Sequence, residues 1–216
     1  MSDAKTMAAP LVGTGLLMTV YLVLRPYGDH DGATTIAAAG AFASGWWIVA
    51  HLAGALALVS FARLALRLHD LAGSPLTRAA RSLGLAGAVL VLPYYGAETF
   101  ALHALGRRAL SGDPAALALV PDIRDGVVAM ITFGLGLLLL AASAVTAAIA
   151  WRRRTGSNAA WPLAVLIVAF LPQFFLPPAG RVAYGLLVLP AALWWLHSAR
   201  DTTSRGGGRG ASGAYR

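Results

Sequence analysis

The sequence predicts an all-α, polytopic membrane protein built as a bundle of six transmembrane helices. Hydrophobic residues make up 58% of the 216 residues and charged residues only 12%, whereas an average soluble domain is about 25% charged. The mean hydropathy is +0.68. The few charged residues are also clustered, so that several uncharged stretches remain that are long enough to cross a bilayer. These three observations exclude an ordinary water-soluble domain.

Six apolar stretches place residues 1–200 in a single helical membrane domain. They lie at residues 7–24, 43–62, 82–105, 126–150, 159–177 and 182–196. The first has the flanking pattern of a signal peptide, but its apolar part is long for one and Arg25-Pro26 follows it directly. We therefore expect the first stretch to be retained as a membrane span.

The second to fourth spans have clear boundaries. The second opens near Trp46-Trp47, which is typical of the membrane interface, and the Gly73-Ser74-Pro75 breaker separates it from the third. The longest loop follows the third span, and we expect its middle, at 114–121, to form a short helix on the membrane surface. The fourth span contains no charge and ends at three consecutive arginines.

The last two spans are less regular. Pro162 and Pro172 interrupt the fifth. The sixth has fifteen residues and would extend only about 22 Å at ~1.5 Å per residue, so it either crosses fully or forms a re-entrant or tilted partner of the fifth. Residues 201–216 are rich in Gly, Ser and Arg and predict a disordered tail that contacts anionic lipid.

Small residues at helix-contact spacing, Ala50 with Gly54 and Gly134 with Gly136, indicate that helices approach one another closely.

The arginine distribution predicts the orientation. With the amino terminus in the cytoplasm, twelve of the seventeen basic residues lie on the inner side and five on the outer side, which favours two cytoplasmic termini. The Ala, Gly, Leu and Arg bias is typical of a GC-rich bacterial genome, so we expect a bacterial inner-membrane protein. Expected partners are the lipid bilayer and a further membrane protein or a second copy, but not nucleic acid.

Glu98 is the only glutamate, and it lies in an apolar span within the polar stretch PYYGAETFALH at 93–103. A carboxylate there is costly and indicates a functional site. If the second and third spans form a hairpin centred near Ser74, His51 lies at the same depth as Glu98. The two groups could then hydrogen-bond and titrate as a coupled pair.

Further polar residues are expected near this pair, lining a cavity that opens outward. Pro93 and Gly96 predict a bend that would present Glu98 to that cavity. Helix packing through interhelical hydrogen bonds is the alternative explanation for all these polar residues. The additional candidates for ligand or proton handling are Tyr94, Tyr95, Thr99, His103, Gln173 and Arg181.

No metal ion, cofactor or catalytic residue is predicted. The chain lacks cysteine, which excludes disulfides, thiolate metal sites and cysteine nucleophiles. His51 and His103 differ by roughly 7 Å in height, which argues against two axial ligands of one haem. His51, Glu98 and His103 are suitable zinc ligand types without a recognised spacing.

The sequence thus leaves three functions open. The first is the binding or transport of a small molecule, linked to a proton, through the outward polar pocket. The second is a non-catalytic accessory or assembly subunit of a membrane complex. The third is a membrane-embedded redox or metal-dependent enzyme.

Overall fold

The computed structural model describes residues 3–207, with side chains described up to residue 201. Every regular element in this part of the chain is helical, which confirms the all-α prediction. The nine α-helices are α1 (Asp3–Leu24), α2 (Ile36–Ala43), α3 (Gly45–Ala72), α4 (Pro75–Gly96), α5 (Leu102–Leu110), α6 (Val120–Arg124), α7 (Val127–Thr155), α8 (Trp161–Val168) and α9 (Pro178–Gly207). A π-helical turn, Ala97–Ala101, joins α4 to α5, and 3-10 turns lie at Pro114–Leu119 and Pro172–Phe175.

Five helical segments are long and apolar enough to cross a membrane, as in a multi-pass membrane protein. They are Asp3–Leu24, Gly45–Ala72, Pro75–Leu110, Val127–Thr155 and Pro178–Asp201. Most extend beyond the predicted spans, because a helix can continue past the point where charged residues mark the edge of an apolar stretch.

The stretch at 159–177 is an interrupted helix, in agreement with the prediction that prolines break it. The eight-residue α8 is followed by the 3-10 turn at Pro172–Phe175. Pro172 has no backbone N–H, and its ring would clash with the carbonyl of Val168, four residues earlier, so the regular helix ends at that residue. Pro162 lies in the first turn of α8, where proline is tolerated, so only one of the two prolines interrupts the helix.

The sixth predicted span is part of α9, a helix of 30 residues. Its helical backbone includes residues 201–207, which the sequence analysis placed in a disordered tail; residues 208–216 lie outside the described part. The helix is longer than the apolar stretch because Arg181 and the polar residues after Leu196 continue it.

The long helices form a closed ring. Going round it, α1 packs on α3, α3 on α4, α4 on α7, α7 on α8, α8 on α9, and α9 on α1. The Thr19 hydroxyl fixes the closing contact by donating to the Gly185 carbonyl at 2.8 Å. We call the end of the ring where α1 ends and α9 begins the cavity end.

The connection between α3 and α4 follows directly from its sequence. Gly73 ends α3 in a left-handed conformation, with φ of 59°, which glycine adopts without a steric penalty. The Ser74 side chain accepts a hydrogen bond from the Thr77 amide as the N-cap of α4, and Pro75 follows at the first position. The predicted breaker is therefore a compact turn.

A helical cap covers the cavity end of α3 and α4. It consists of α2, α5, the 114–119 turn and α6, packed around a second apolar cluster that includes Phe42, Trp47 and Leu117. The middle of the long loop, predicted to lie on the membrane surface, is therefore part of the cap, with Leu117 buried. Of the predicted interfacial pair, Trp46 is 57% exposed but Trp47 is fully buried, so the prediction was wrong for Trp47.

Helices α4 and α7 are in close contact where Gly87 faces Gly136. A Cβ atom on Gly136 would lie 2.7 Å from the Val91 side chain and 3.0 Å from the Gly87 carbonyl oxygen. A Cβ on Gly134, two residues earlier, would meet no atom within 4 Å. Of the two glycines indicated by the sequence, only Gly136 therefore makes a close helix contact.

We expect Gly136→Ala to destabilise the protein by about 1–3 kcal/mol, because the added methyl group overpacks the interface with α4. Gly134→Ala is the matched control on the same helix and should leave stability unchanged or slightly raised. Equilibrium unfolding in mixed detergent micelles, followed by circular dichroism, measures both. Equal stability of the two variants would contradict this packing.

Candidate functional site

A cavity of about 370 Å³ lies at the cavity end of the ring. This volume is within the range of roughly 300–1,000 Å³ found for small-molecule pockets. Buried polar groups from α1, α3 and α4 form one side, and Phe133 of α7 with Phe174 of the 172–175 turn forms the other. Met130, Leu171 and Phe175 line the cavity and are also exposed on the surface of the bundle, so we call these three residues the apolar mouth.

Glu98 lies in the π-helical turn that joins α4 to α5 and is only 6% exposed. Pro93, one turn earlier, cannot donate a backbone hydrogen bond, and the wider turn follows it. The Glu98 carbonyl oxygen accepts a hydrogen bond from the Trp47 indole at 2.7 Å, which satisfies a backbone group in the irregular stretch. Such π turns are rare and occur frequently at functional sites.

The Glu98 carboxylate binds the Arg124 guanidinium through two parallel hydrogen bonds. Arg124 Nε donates to Oε1 at 2.6 Å and Nη2 donates to Oε2 at 2.9 Å. This paired geometry is the strongest form of a charged hydrogen bond. Arg124 is the last residue of α6, so the cap delivers the counter-ion for a carboxylate within the bundle.

The ionic contacts continue from Arg124 to the end of α1. Arg124 Nη1 lies 3.0 Å from Asp29 Oδ2, and Arg25 Nη2 donates to the same oxygen at 2.7 Å. The Asp29 side chain is only 6% exposed, and its Oδ1 is buried without a hydrogen-bond partner in the described residues. We call Arg25, Asp29, Arg124 and Glu98 the ionic chain.

His51 lies at the inner end of the ionic chain, as the depth argument predicts. Its Nε2 is 3.6 Å from Glu98 Oε2, which is beyond hydrogen-bond distance. The ring's Nδ1 lies 2.8 Å from the Trp47 carbonyl oxygen, and because that oxygen can only accept, Nδ1 carries the hydrogen. Nε2 is therefore the position where a second proton would bind, beside a carboxylate.

The buried Trp47 ring lies next to three charged or titratable side chains of the site. The Arg25 guanidinium lies 4.9 Å from the centre of its ring and the Arg124 guanidinium 5.9 Å, within the distance for cation–π attraction. Its ring centre is also 4.0 Å from that of His51. Burial of Trp47 thus supports two arginines and the histidine together.

The electrostatics of the outer groups follow from these contacts. Burial would raise the pKa of the Asp29 carboxyl, but the Arg25 and Arg124 guanidiniums outweigh it and hold that pKa below its usual value. Burial would likewise lower the pKa of Arg124, whereas Glu98 and Asp29 raise it above its ordinary value. Burial raises the pKa of Tyr27 to about 12, against the opposing effect of Arg25.

Five of the eight residues singled out from the sequence line the cavity: His51, Glu98, Tyr94, Tyr95 and Arg181. Tyr94 stacks on Phe133 with ring centres 4.2 Å apart, so it forms part of the aromatic wall. Tyr95 lies deeper, packed against Gly54, where a Cβ atom would come within 2.9 Å of its ring.

The other three lie outside the cavity lining. The Thr99 hydroxyl donates to the Tyr95 carbonyl oxygen at 2.6 Å, within its own helix. His103 Nδ1 lies 2.8 Å from the Phe42 carbonyl oxygen, at the end of α2. Gln173 is only 2% exposed, and its side-chain nitrogen and oxygen have no hydrogen-bond partner in the described residues.

The sequence analysis missed four members of the site. It named Arg25 only as the residue that follows the first span, did not single out Asp29 or Arg124, and placed Trp47 at the membrane interface. One signal could have indicated the arginines: a buried carboxylate needs a cation, and the outer loops hold arginines close to the end of the Glu98 helix. Which arginine it would be depends on the fold of the cap, which the sequence pattern does not specify.

Within the part of the chain that the structure describes, no three His, Asp or Glu side chains converge so that they could hold a metal ion. No protein-family model matches the chain, and neither a curated protein nor a solved structure is detectably similar to it. The function must therefore be inferred from the geometry of the site.

We expect Glu98→Gln and Arg124→Gln each to destabilise the protein by about 3–5 kcal/mol, because the first leaves buried Arg124 with Asp29 as its remaining counter-charge and the second leaves buried Glu98 without a guanidinium. The double variant should lose much less than the sum of the two, since the groups interact directly. Arg108→Gln is the control: Arg108 pairs with Asp113 at 2.7 Å but is 70% exposed, so its loss should cost about 0–1 kcal/mol. Additive effects at 98 and 124, measured by equilibrium unfolding, would argue against the pairing.

A second prediction concerns acid stability. Because the pKa of Asp29 is lower in the folded protein than the value of about 3.9 in an unfolded chain, its charge stabilises the fold above about pH 4. This contribution is lost as the pH falls through the folded-state pKa. Asp29→Asn should therefore lower the Tm at pH 7, and its difference from the wild type should shrink as the pH falls below 4. A constant difference between pH 7 and pH 3 would contradict the prediction.

Proposed function

We propose that this membrane protein binds a small molecule in the cavity, exchanges it with the outer side of the membrane, and couples binding to a proton at His51. The observation that carries the proposal is the cavity, in which buried charged groups face an aromatic wall across about 370 Å³. Ligand pockets typically combine apolar walls with a few fixed polar groups.

The proposed topology has six membrane crossings and both termini in the cytoplasm of a bacterium. Antiparallel contacts support it. Between α4 and α7, Gly84 packs on Ser143 and Gly87 on Gly136. Between α1 and α9, Gly15 packs on Leu189 and Gly185 on Leu22. Helices α7 and α9 therefore both run away from the cavity end, so the chain between them must return to it.

Residues 157–177 provide this return. Ser157 lies 2.9 Å from Ser198 between their hydroxyl oxygens, far from the cavity end, whereas the Phe174 carbonyl accepts from Arg181 at the cavity end. The fifth crossing would thus consist of α8 and the 172–175 turn. The arginine distribution supports the cavity end as the outer side.

The proton role falls on His51. Both carboxylate oxygens of Glu98 already accept hydrogen bonds from Arg124. Within the described residues His51 Nε2 has no hydrogen-bond partner. The ring lines the cavity and lies near a carboxylate that would stabilise the added proton. A ligand that changes the contacts of Glu98 would alter the affinity of His51 for that proton.

Gly134→Phe tests the cavity. Met130, Phe133 and Gly134 lie on one face of α7, all three line the cavity, and there is open space at Gly134. A phenyl group there should fill the cavity without unfolding the protein. The test compounds are aromatic acids, amines and neutral analogues. Those that raise the Tm of the wild type should leave the Tm of Gly134→Phe unchanged. A ligand at 100 times its Kd raises the free energy of unfolding by about 2.7 kcal/mol.

Gly40→Phe on α2 is the control, since it also has open space at its Cβ and lies outside the cavity lining. The proposal fails if no compound in the panel stabilises the wild type, or if Gly134→Phe responds as the wild type does; the accessory-subunit function would then be preferred. In weakly buffered solution containing the pH dye pyranine, binding of such a compound should change the number of bound protons in the wild type but not in His51→Gln. An equal change in both would remove the role of His51.

A further inference from the structure

Arg181 differs from the other two arginines of the cavity in its partners. Arg25 pairs with Asp29, and Arg124 pairs with both Asp29 and Glu98. Among the described residues no carboxylate forms an ion pair with Arg181. The inner part of the cavity therefore holds three guanidiniums and two buried carboxylates, which leaves one positive charge uncompensated.

The Arg181 guanidinium is fixed by the chain next to it. Its Nε donates to the Leu176 carbonyl at 3.0 Å, and Nη2 donates to the Phe174 carbonyl. Nη1 has no partner among the described residues, so its two N–H groups remain available. Because the side chain is already held, a ligand would not have to order it on binding.

The surroundings of Arg181 strengthen its positive field. Its guanidinium lies 5.9 Å from the centre of the Tyr27 ring, and that of Arg25 lies 5.0 Å from the same centre. Arg181 is also in the first turn of α9, where the helix dipole is positive. Two arginines and a helix end thus favour an anion at this position.

Two carboxylates in the cavity lining disfavour an anion, but their effect is weaker than that of the arginines. Asp29 is shared by two guanidiniums, so its free oxygen would accept a hydrogen bond from a hydroxyl group or water rather than attract a cation. Asp125 is exposed at the rim, where water and salt screen its charge.

An apolar wall adjoins the proposed anion site. The carbonyls that hold Arg181 belong to the segment that supplies Leu171, Phe174 and Phe175 to the cavity. Phe133 continues the same wall, because its ring packs edge to face against Phe174 with ring centres 6.1 Å apart. The apolar mouth opens beside these rings, so an apolar group could enter there from the lipid side.

We propose that the cavity takes a small amphipathic anion, with its acidic group on Arg181 and its apolar body along the wall of Phe133 and Phe174, towards the apolar mouth. This inference rests on the proposed binding function and specifies its ligand class. The cavity of about 370 Å³ suits one short chain or one ring system with a single acidic group. Such a ligand could reach the cavity from the bilayer as a fatty acid or from water as an aromatic acid.

Three probes of equal chain length test the charge: decanoate, decylamine and decanol. The protein is reconstituted in nanodiscs, and binding is measured by the rise in Tm with probe concentration. We expect decanoate to bind the wild type at least tenfold more tightly than either of the others. Arg181→Gln should weaken decanoate binding about tenfold and leave decanol unchanged, whereas Arg108→Gln, at an exposed ion pair, should change neither.

Arg181→Lys keeps the charge and is the second variant in case Arg181→Gln does not fold. Its affinity for decanoate should lie within a few-fold of that of the wild type. Phenylbutyrate distinguishes a water-borne aromatic acid from a lipid-derived chain, since tighter binding than decanoate would favour the former. If decanol or decylamine binds as tightly as decanoate, and if this binding is lost in Gly134→Phe, the anion inference is overturned but the binding site remains. No binding by any probe would overturn both.

Discussion

The ion pair between Glu98 and Arg124 is the constraint on which the arrangement at the cavity end depends. A carboxylate inside an apolar helix bundle is stable only with a cation and well-aligned hydrogen bonds, and Arg124 provides both. Because Arg124 lies outside the long helices, the chain after α5 has to fold back over the bundle to bring it there. The cap can thus be understood as the structure that holds this one guanidinium in place.

The same pair has a chemical consequence for its neighbours. Once Arg124 holds both oxygens of Glu98, the carboxylate has less capacity to bind His51, and the distance of 3.6 Å reflects this. Arg124 also reaches Asp29, which links the end of α1 to the cap. The position of His51, the closure of the cap and the charge balance of the cavity are therefore coupled through one side chain, Arg124.

The sequence predicted the all-α class, most helix positions and the proximity of His51 to Glu98. His51 and Glu98 could be matched because the turn at Gly73 and Ser74 has clear signals, and helix geometry then fixes the register on both sides. Arg124 could not be matched, because its position depends on the packing of α2 against α5, which has no periodic pattern in the sequence. Trp47 was misplaced for a related reason: a tryptophan at a helix start resembles an interfacial residue until a cap covers it.

Helix continuity was predicted with mixed success. The apolar content of 159–177 resembles that of a helix, but the effect of a proline depends on its position: Pro162 is accommodated in the first turn of α8, whereas Pro172 interrupts regular structure. The sixth stretch was predicted too short, because its start was placed after Arg181, whereas α9 begins at Pro178. The Arg181 guanidinium folds back onto backbone carbonyls, so a charged residue is accommodated within the helix.

The contact between α1 and α9 closes the ring and joins the beginning of the chain to its end. The Thr19 and Gly185 partners are separated by 166 positions in the sequence, so one flank of α1 has no protein neighbour until α9 has been synthesised. During translation the incomplete bundle therefore remains open on that side. Assembly of the ring therefore ends when α1 and α9 pack together. A chain truncated before α9 would leave the α9-facing surface of α1 without its protein contact.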